Sequence, residues 1–165
     1  MTPMLISAVA AGLLLGVLFG GHLRNMASLA IRWPWLLGLA IVLRLAAPLA
    51  PLVPLPFYLA SFSAILAVVL VNRGIPGMPL IGIGALSNLA VVALNGGMPV
   101  DLGAVAVAGA SAPHDPLHLT LDAGSRLGFL ADVIPVALVR NVYSAGDILV
   151  AAGGFWLPFV RLRSS

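Results

Sequence analysis

Asp132 and Asp147 are the residues of this chain best suited to do chemistry. Each stands in apolar company, Asp132 within LADVIPV and Asp147 within SAGDILVAAGG. Burial penalises the charged form of a carboxyl and raises its pKa. Two such carboxyls facing each other can share a proton and act as acid and base, the arrangement of aspartyl hydrolysis. Asp122 is the substitute partner for Asp147 in that reading. A structural role competes with it. Each Asp can instead pair with Arg44, Arg126 or Arg140, or cap a helix. Asp147 follows Ser144-Ala145-Gly146 and falls in a first helical turn, where the helix dipole favours negative charge.

A second set of residues suits binding. Arg44 sits inside the apolar run IVLRLAAP. A cation there must find a counterion, reach the interface or line a cavity. It either snorkels to the headgroups or pairs with Asp147. Asn88 and Asn95 are seven residues apart and share one helix face, with Gly84 and Ser87 close by. Asn95-Gly96-Gly97 then ends the apolar run. Asn and Gly tolerate positive φ and stop a helix. The second glycine leaves bare backbone, which suits contact with a ligand or another strand of chain. His114, Asp115 and His118 (HDPLH) are the one metal-like grouping. Pro116 disfavours a helix that would align the imidazoles, and no second cluster matches it. Neither a metal nor a cofactor is expected.

The elements that must position these residues follow from composition. Of 165 residues, 61% are hydrophobic and 8% charged, with mean hydropathy +1.14. A soluble domain carries about 25% charged residues, so lipid must be the solvent over most of this surface. The cations are eight arginines with no lysine, the anions five aspartates with no glutamate. The net charge is only +3 and the arginines are scattered rather than clustered, so no nucleic acid partner is expected. The absence of cysteine excludes thiol chemistry and disulfides. The composition, rich in Ala, Gly and Pro with Arg in place of Lys, points to a bacterial source.

A membrane helix needs about 20 apolar residues. Runs at 3–20, 33–50, 56–72, 78–95 and 144–160 meet this need. They predict an all-α, polytopic bundle of about five spans forming one integral membrane domain, 1–165. The run 127–139 is too short to span and holds Asp132 and Pro135, so it is expected as a re-entrant or interfacial segment. HLTLD (118–122) alternates in polarity and suits a short extended piece. Arg24, Arg32, Arg73, Arg161 and Arg163 fall in alternate loops or at the end of the chain. The positive-inside rule then predicts an outside N-terminus, a cytoplasmic C-terminus and an extracytoplasmic segment 96–143. Gly12, Gly16 and Gly20 form a flat stripe on the first span. It suits packing within the chain, or an interface with a second copy or another protein. Membrane lipid is the expected surrounding partner.

The motifs GGHLRN (20–25), NRGIPG (72–77), SNLAVVALNGGMPV (87–100), LADVIP (130–135) and SAGDILVAAG (144–153) resemble, in this order, an uncharacterised bacterial membrane family, domain of unknown function 5317. The resemblance covers nearly the full length and implies a small multi-pass protein of the bacterial cytoplasmic membrane. A weaker similarity is to lipoprotein signal peptidases. Tyr143-Ser144-Ala145-Gly146-Asp147 stands where that family has F-N-x-A-D, with Ser144 in place of its Asn. That similarity would make Asp147 a catalytic acid. The family's G-N-x-x-D-R motif is not found in this chain. The reading the residues favour is a scaffold, accessory subunit or transport-related component working at its extracytoplasmic side. The alternatives are a membrane-embedded aspartyl hydrolase and a proton or small-solute path through Arg44, Asn88 and Asp147.

Overall fold

The computed structural model of the chain describes residues 2–49, 53–111 and 117–164. Seven α-helices lie in these residues: α1 (Thr2–Leu18), α2 (Arg24–Ala27), α3 (Trp35–Ala46), α4 (Pro54–Val71), α5 (Met78–Asn95), α6 (Leu102–Ala108) and α7 (Ala145–Arg163). Four three-residue strands lie between α5 and α7: β1 (Met98–Val100), β2 (His118–Thr120), β3 (Ile134–Val136) and β4 (Asn141–Tyr143). The chain is therefore mostly helical, with a small β component of which only the stretch holding β2 is marked by alternating polarity.

Three helices, α4, α5 and α7, are long and apolar enough to cross a membrane. The other two expected spans form shorter apolar helices. α1 stops at Leu18, and Gly20 just beyond it takes φ +86°. α3 begins only after Pro34 and gives way to a 3₁₀ turn at Ala47–Leu49. That turn contains Pro48, which has no N–H to donate to a helix. Outward-facing Leu14, Val42, Leu70 and Leu86 are well exposed, as helices set in lipid would leave them.

The helices pack in series. α3 lies on α4, α4 on α5, α5 on α7, and α7 on α1. α1 and α3 are thus the two ends of an arc, each leaning on its neighbour rather than on the other. Small residues set the closest approaches. A Cβ on Gly16 would stand 2.6 Å from Leu162 Cδ1, and one on Gly12 would meet the Phe155 carbonyl and, at 3.0 Å, Pro158 Cγ. Two glycines of the stripe therefore face α7 of the same chain, while Gly20 has nothing within 4 Å. Between α5 and α7 the same device recurs. A Cβ on Gly84 would meet the Gly146 carbonyl and stand 2.9 Å from Val150.

The segment after α5 is folded around β1. Gly96 caps α5 at φ +78°, its N–H donating to the Val92 carbonyl. Gly97 lets β1 close on the neighbouring backbone, since its Cβ would lie 2.5 Å from the Leu117 carbonyl oxygen. β1 pairs in parallel with β2, Met98 opposite His118. HLTLD is thus extended at its start, as its alternation predicts. On its other side β1 meets residue 132 through a single bridge at Val100. β3 and β4 form an antiparallel pair, Ile134 opposite Tyr143. The run 127–139 is not helical. It makes 3₁₀ turns at Gly128–Leu130 and Ala137–Val139 on either side of β3, and Leu138 is 94% exposed.

Candidate functional site

The chain's polar groups converge where α3 and α5 end and α4 and α7 begin. Ser144 is the N-cap of α7, and its hydroxyl oxygen accepts the Asp147 N–H at 3.0 Å. This is the standard way to satisfy a free N–H in a first turn. The same hydroxyl donates to Asn88 Oδ1 at 2.9 Å. Asn88 Nδ2 in turn donates to Asp147 Oδ1 at 2.8 Å. Asn88, Ser144 and Asp147 thus form a closed, buried ring of hydrogen bonds joining α5 to α7. The glycine contact at Gly84 and Gly146 makes it possible, because a Cβ on Gly146 would collide with Asn88 Oδ1.

Asp132 reaches the same region from the segment after α5. Its N–H donates to the Pro99 carbonyl and its carbonyl accepts from the Asp101 N–H, both at 3.0 Å. The NGGMPV motif therefore builds the strand that holds Asp132. Asp132 Oδ1 is fully buried with no hydrogen-bond partner. Burial, and after it the charge of Asp147, push the Asp132 carboxyl up to about 7, while Arg44 opposes the shift.

Asp132, Asp147, Asn88 and Arg44 all line one cavity of about 740 Å³. Arg44 forms no salt bridge with Asp147 among the described residues. Its guanidinium lies 4.1 Å from the Tyr58 ring centre and 5.0 Å from that of Phe62. A cation over aromatic faces gains electrostatic stabilisation without a counterion, and so the pairing with Asp147, one of the two readings the sequence left open, gives way to stacking.

Of the remaining sequence candidates, His118 also lines the cavity, and the others sit elsewhere. Asp122 is exposed and organises its own turn, accepting from the Gly124 N–H and the Ser125 hydroxyl, each at 2.9 Å. It does not line the cavity. Asn95 clamps the segment after α5 to that helix. Its Nδ2 donates to the Val91 and Arg126 carbonyls, and its Oδ1 accepts the Arg126 N–H at 2.7 Å. Gly96 and Gly97 shape the turn beside it, as described above. His114 and Asp115 lie outside the described residues. Among the described residues no group of three potential metal ligands occurs.

Several contributors escaped the sequence reading. Tyr58, Phe62 and Ser61 of α4 line the cavity, and the Ser61 hydroxyl donates to the Ala40 carbonyl at 2.9 Å. Nothing in their spacing separates them from ordinary core residues. Asn72 was similarly unmarked. Its side chain donates to the Arg32 and Val68 carbonyls and accepts the Arg32 N–H, each at 2.8 Å.

Fold and site together define a small, mostly helical protein with membrane-length apolar helices and a cavity polar at one end. The chain belongs to the family of unknown function DUF5317, whose model matches residues 28–159. An uncharacterised protein of Thermotoga maritima is 34% identical over 156 residues, covering 92% of this chain and 88% of the relative. Neither match is to a lipoprotein signal peptidase. No solved structure matches the chain.

Proposed function

We propose that this chain is a multi-pass protein of the bacterial cytoplasmic membrane that handles a membrane-borne ligand at its outer end. In this reading α1, α3, α4, α5 and α7 cross the bilayer, and segment 96–143 covers their outer ends. The arginine grouping supports the orientation. Arg161 donates to Ser28, and Asn25 donates to the Leu162 and Ser164 carbonyls. These contacts gather the cationic loops at the end opposite the cavity's carboxyls, the end the positive-inside rule assigns to the cytoplasm. The observation that carries the functional reading is the pair Asp132 and Asp147 lining one cavity. A pair with one carboxyl protonated near neutral pH can take up and release a proton as its ligand or the outer pH changes. A transport-related component uses that capacity directly.

A second reading rests on the same pair. In an aspartyl hydrolase one carboxylate takes a proton from water as the water oxygen attacks a carbonyl carbon. The other, protonated, carboxyl gives its proton to the leaving nitrogen. Asp147 at the capped start of α7 suits either role. Asp122, exposed and apart, suits neither.

The test is thermal melting of the detergent-purified chain across pH, wild type against Asp132→Asn and Asp147→Asn. Folded Asp132 titrates at about 7 and an ordinary carboxyl at 3.8. Between those values the folded state keeps a proton that the unfolded state has lost. Stability therefore falls as pH rises through this window and levels off above it. Asp132→Asn should flatten that fall. Parallel declines in wild type and variant would remove Asp132 from the site. Incubation with a lipid-modified peptide separates the two readings. Cleavage that both Asp→Asn variants abolish marks a hydrolase, and binding without cleavage marks a ligand carrier.

A further inference from the structure

Resting on the membrane-embedded site just described, we infer that the cavity takes a single-chain zwitterionic amphiphile entering sideways from the lipid between α1 and α3. The argument begins with the open side of the arc. Leu5 of α1 and Ile41 and Leu45 of α3 line the cavity. Yet Ile41 is 60% and Leu45 68% exposed. Residues that both line a cavity and face outward mark its mouth. This mouth is apolar and lies on helix flanks, where a bilayer would press against it. An acyl chain can pass there without leaving a hydrocarbon environment.

The polar end specifies the head group. Arg44 is held over Tyr58 and Phe62 by its aromatic contacts. No hydrogen bond from its guanidinium to another described residue is formed. Asp132 Oδ1 is buried and unpartnered in the same cavity. A half-buried guanidinium and a buried carboxyl oxygen, both without a hydrogen-bond partner among the described residues, call for partners of their own. A head carrying an anionic group and an amine meets both needs at once: the anion against Arg44, the N–H donors against Asp132. The volume of about 740 Å³ falls within the usual range of small-molecule sites, about 300–1,000 Å³.

The experiment uses the full chain in detergent with palmitoyl lysophosphatidylethanolamine as the probe. Three controls each lack one element. Palmitoyl lysophosphatidylglycerol has no amine, palmitoyl lysophosphatidylcholine has no N–H donor, and glycerophosphoethanolamine has no chain. The ethanolamine probe should raise the melting temperature by about 5 °C or more at saturation, and each control by much less. Arg44→Gln and Asp132→Asn should each cut the probe's affinity by about tenfold or more. The mouth is tested separately. The chain has no cysteine, so Leu5→Cys with Ile41→Cys gives a single pair for a bifunctional maleimide. Cross-linking should abolish the probe uptake that the same double-cysteine chain shows before it is cross-linked. Equal shifts from lysophosphatidylglycerol, or uptake unaffected by the cross-link, would overturn the inference. The pH dependence of Asp132 would stand in either case, because it requires no occupant.

Discussion

Two buried side chains of similar size illustrate how differently polar residues serve this molecule. Asn72 spends its hydrogen bonds on backbone, tying Arg32 to the end of α4. Asn25 and Asn95 do the same at other helix ends. Asn88 spends its bonds on side chains, Ser144 and Asp147. The first kind stitches loops to helices, and the second orients a carboxyl. Replacing Asn88 by Ala leaves a buried hydroxyl without an acceptor and a buried carboxylate without its donor. The expected loss is about 1–2 kcal/mol, since such bonds in membranes average about 0.6 kcal/mol and unsatisfied buried groups cost more. Chemical denaturation in mixed micelles measures it. Asn88→Asp, which adds a carboxyl beside Asp147, should be worse than Asn88→Ala at neutral pH and should recover on acidification. If the two variants match at every pH, Asn88 does not face a carboxylate.

At the scale of elements, the α5–α7 contact decides whether a site exists. Gly84 and Gly146 bring the two backbones close enough for Asn88 to reach Asp147. Gly146→Ala would drive a methyl into Asn88 Oδ1 and push the helices apart. A cost of about 1–3 kcal/mol follows, typical of overpacking. Gly38→Ala on α3, where a Cβ meets nothing within 4 Å, should be neutral or slightly stabilising. Thermal melts of the two variants side by side check the contrast. These elements were unevenly legible in the sequence. Apolar runs revealed α4, α5 and α7, and Asn95-Gly96 marked where α5 stops, because helix length and helix stops are local properties. Of the small strands, β2 showed in the alternation of HLTLD, while β1, β3 and β4 were hidden, since three residues are too few for a period to emerge. Asp132 stood out by its apolar neighbours, but its height over the cavity depends on pairing with β1, about thirty residues earlier. The arginine pairing failed for a similar reason. Nothing local to Arg44 announces that Tyr58 and Phe62 will lie beneath it.

At the scale of the whole molecule, the absence of cysteine makes topology directly testable. Single cysteines at Asp122, exposed on the segment between α5 and α7, and at Ser28, beside Arg161, should behave oppositely in the topology proposed above. In intact cells a membrane-impermeant maleimide should label the Asp122→Cys chain and spare the Ser28→Cys chain. The reverse pattern would invert the orientation proposed above. The serial packing of the helices has a consequence for how the protein is made. α1 is made before every other described helix, yet its main packing partner is α7, the last of them in the chain. In the topology proposed above, α1 waits through most of synthesis with the glycine face that meets α7 uncovered. The wall that carries Leu5 joins the cavity only when α7 arrives. On the reading proposed above, an unfinished chain lacks one wall of the ligand cavity and leaves the glycine face of α1 uncovered.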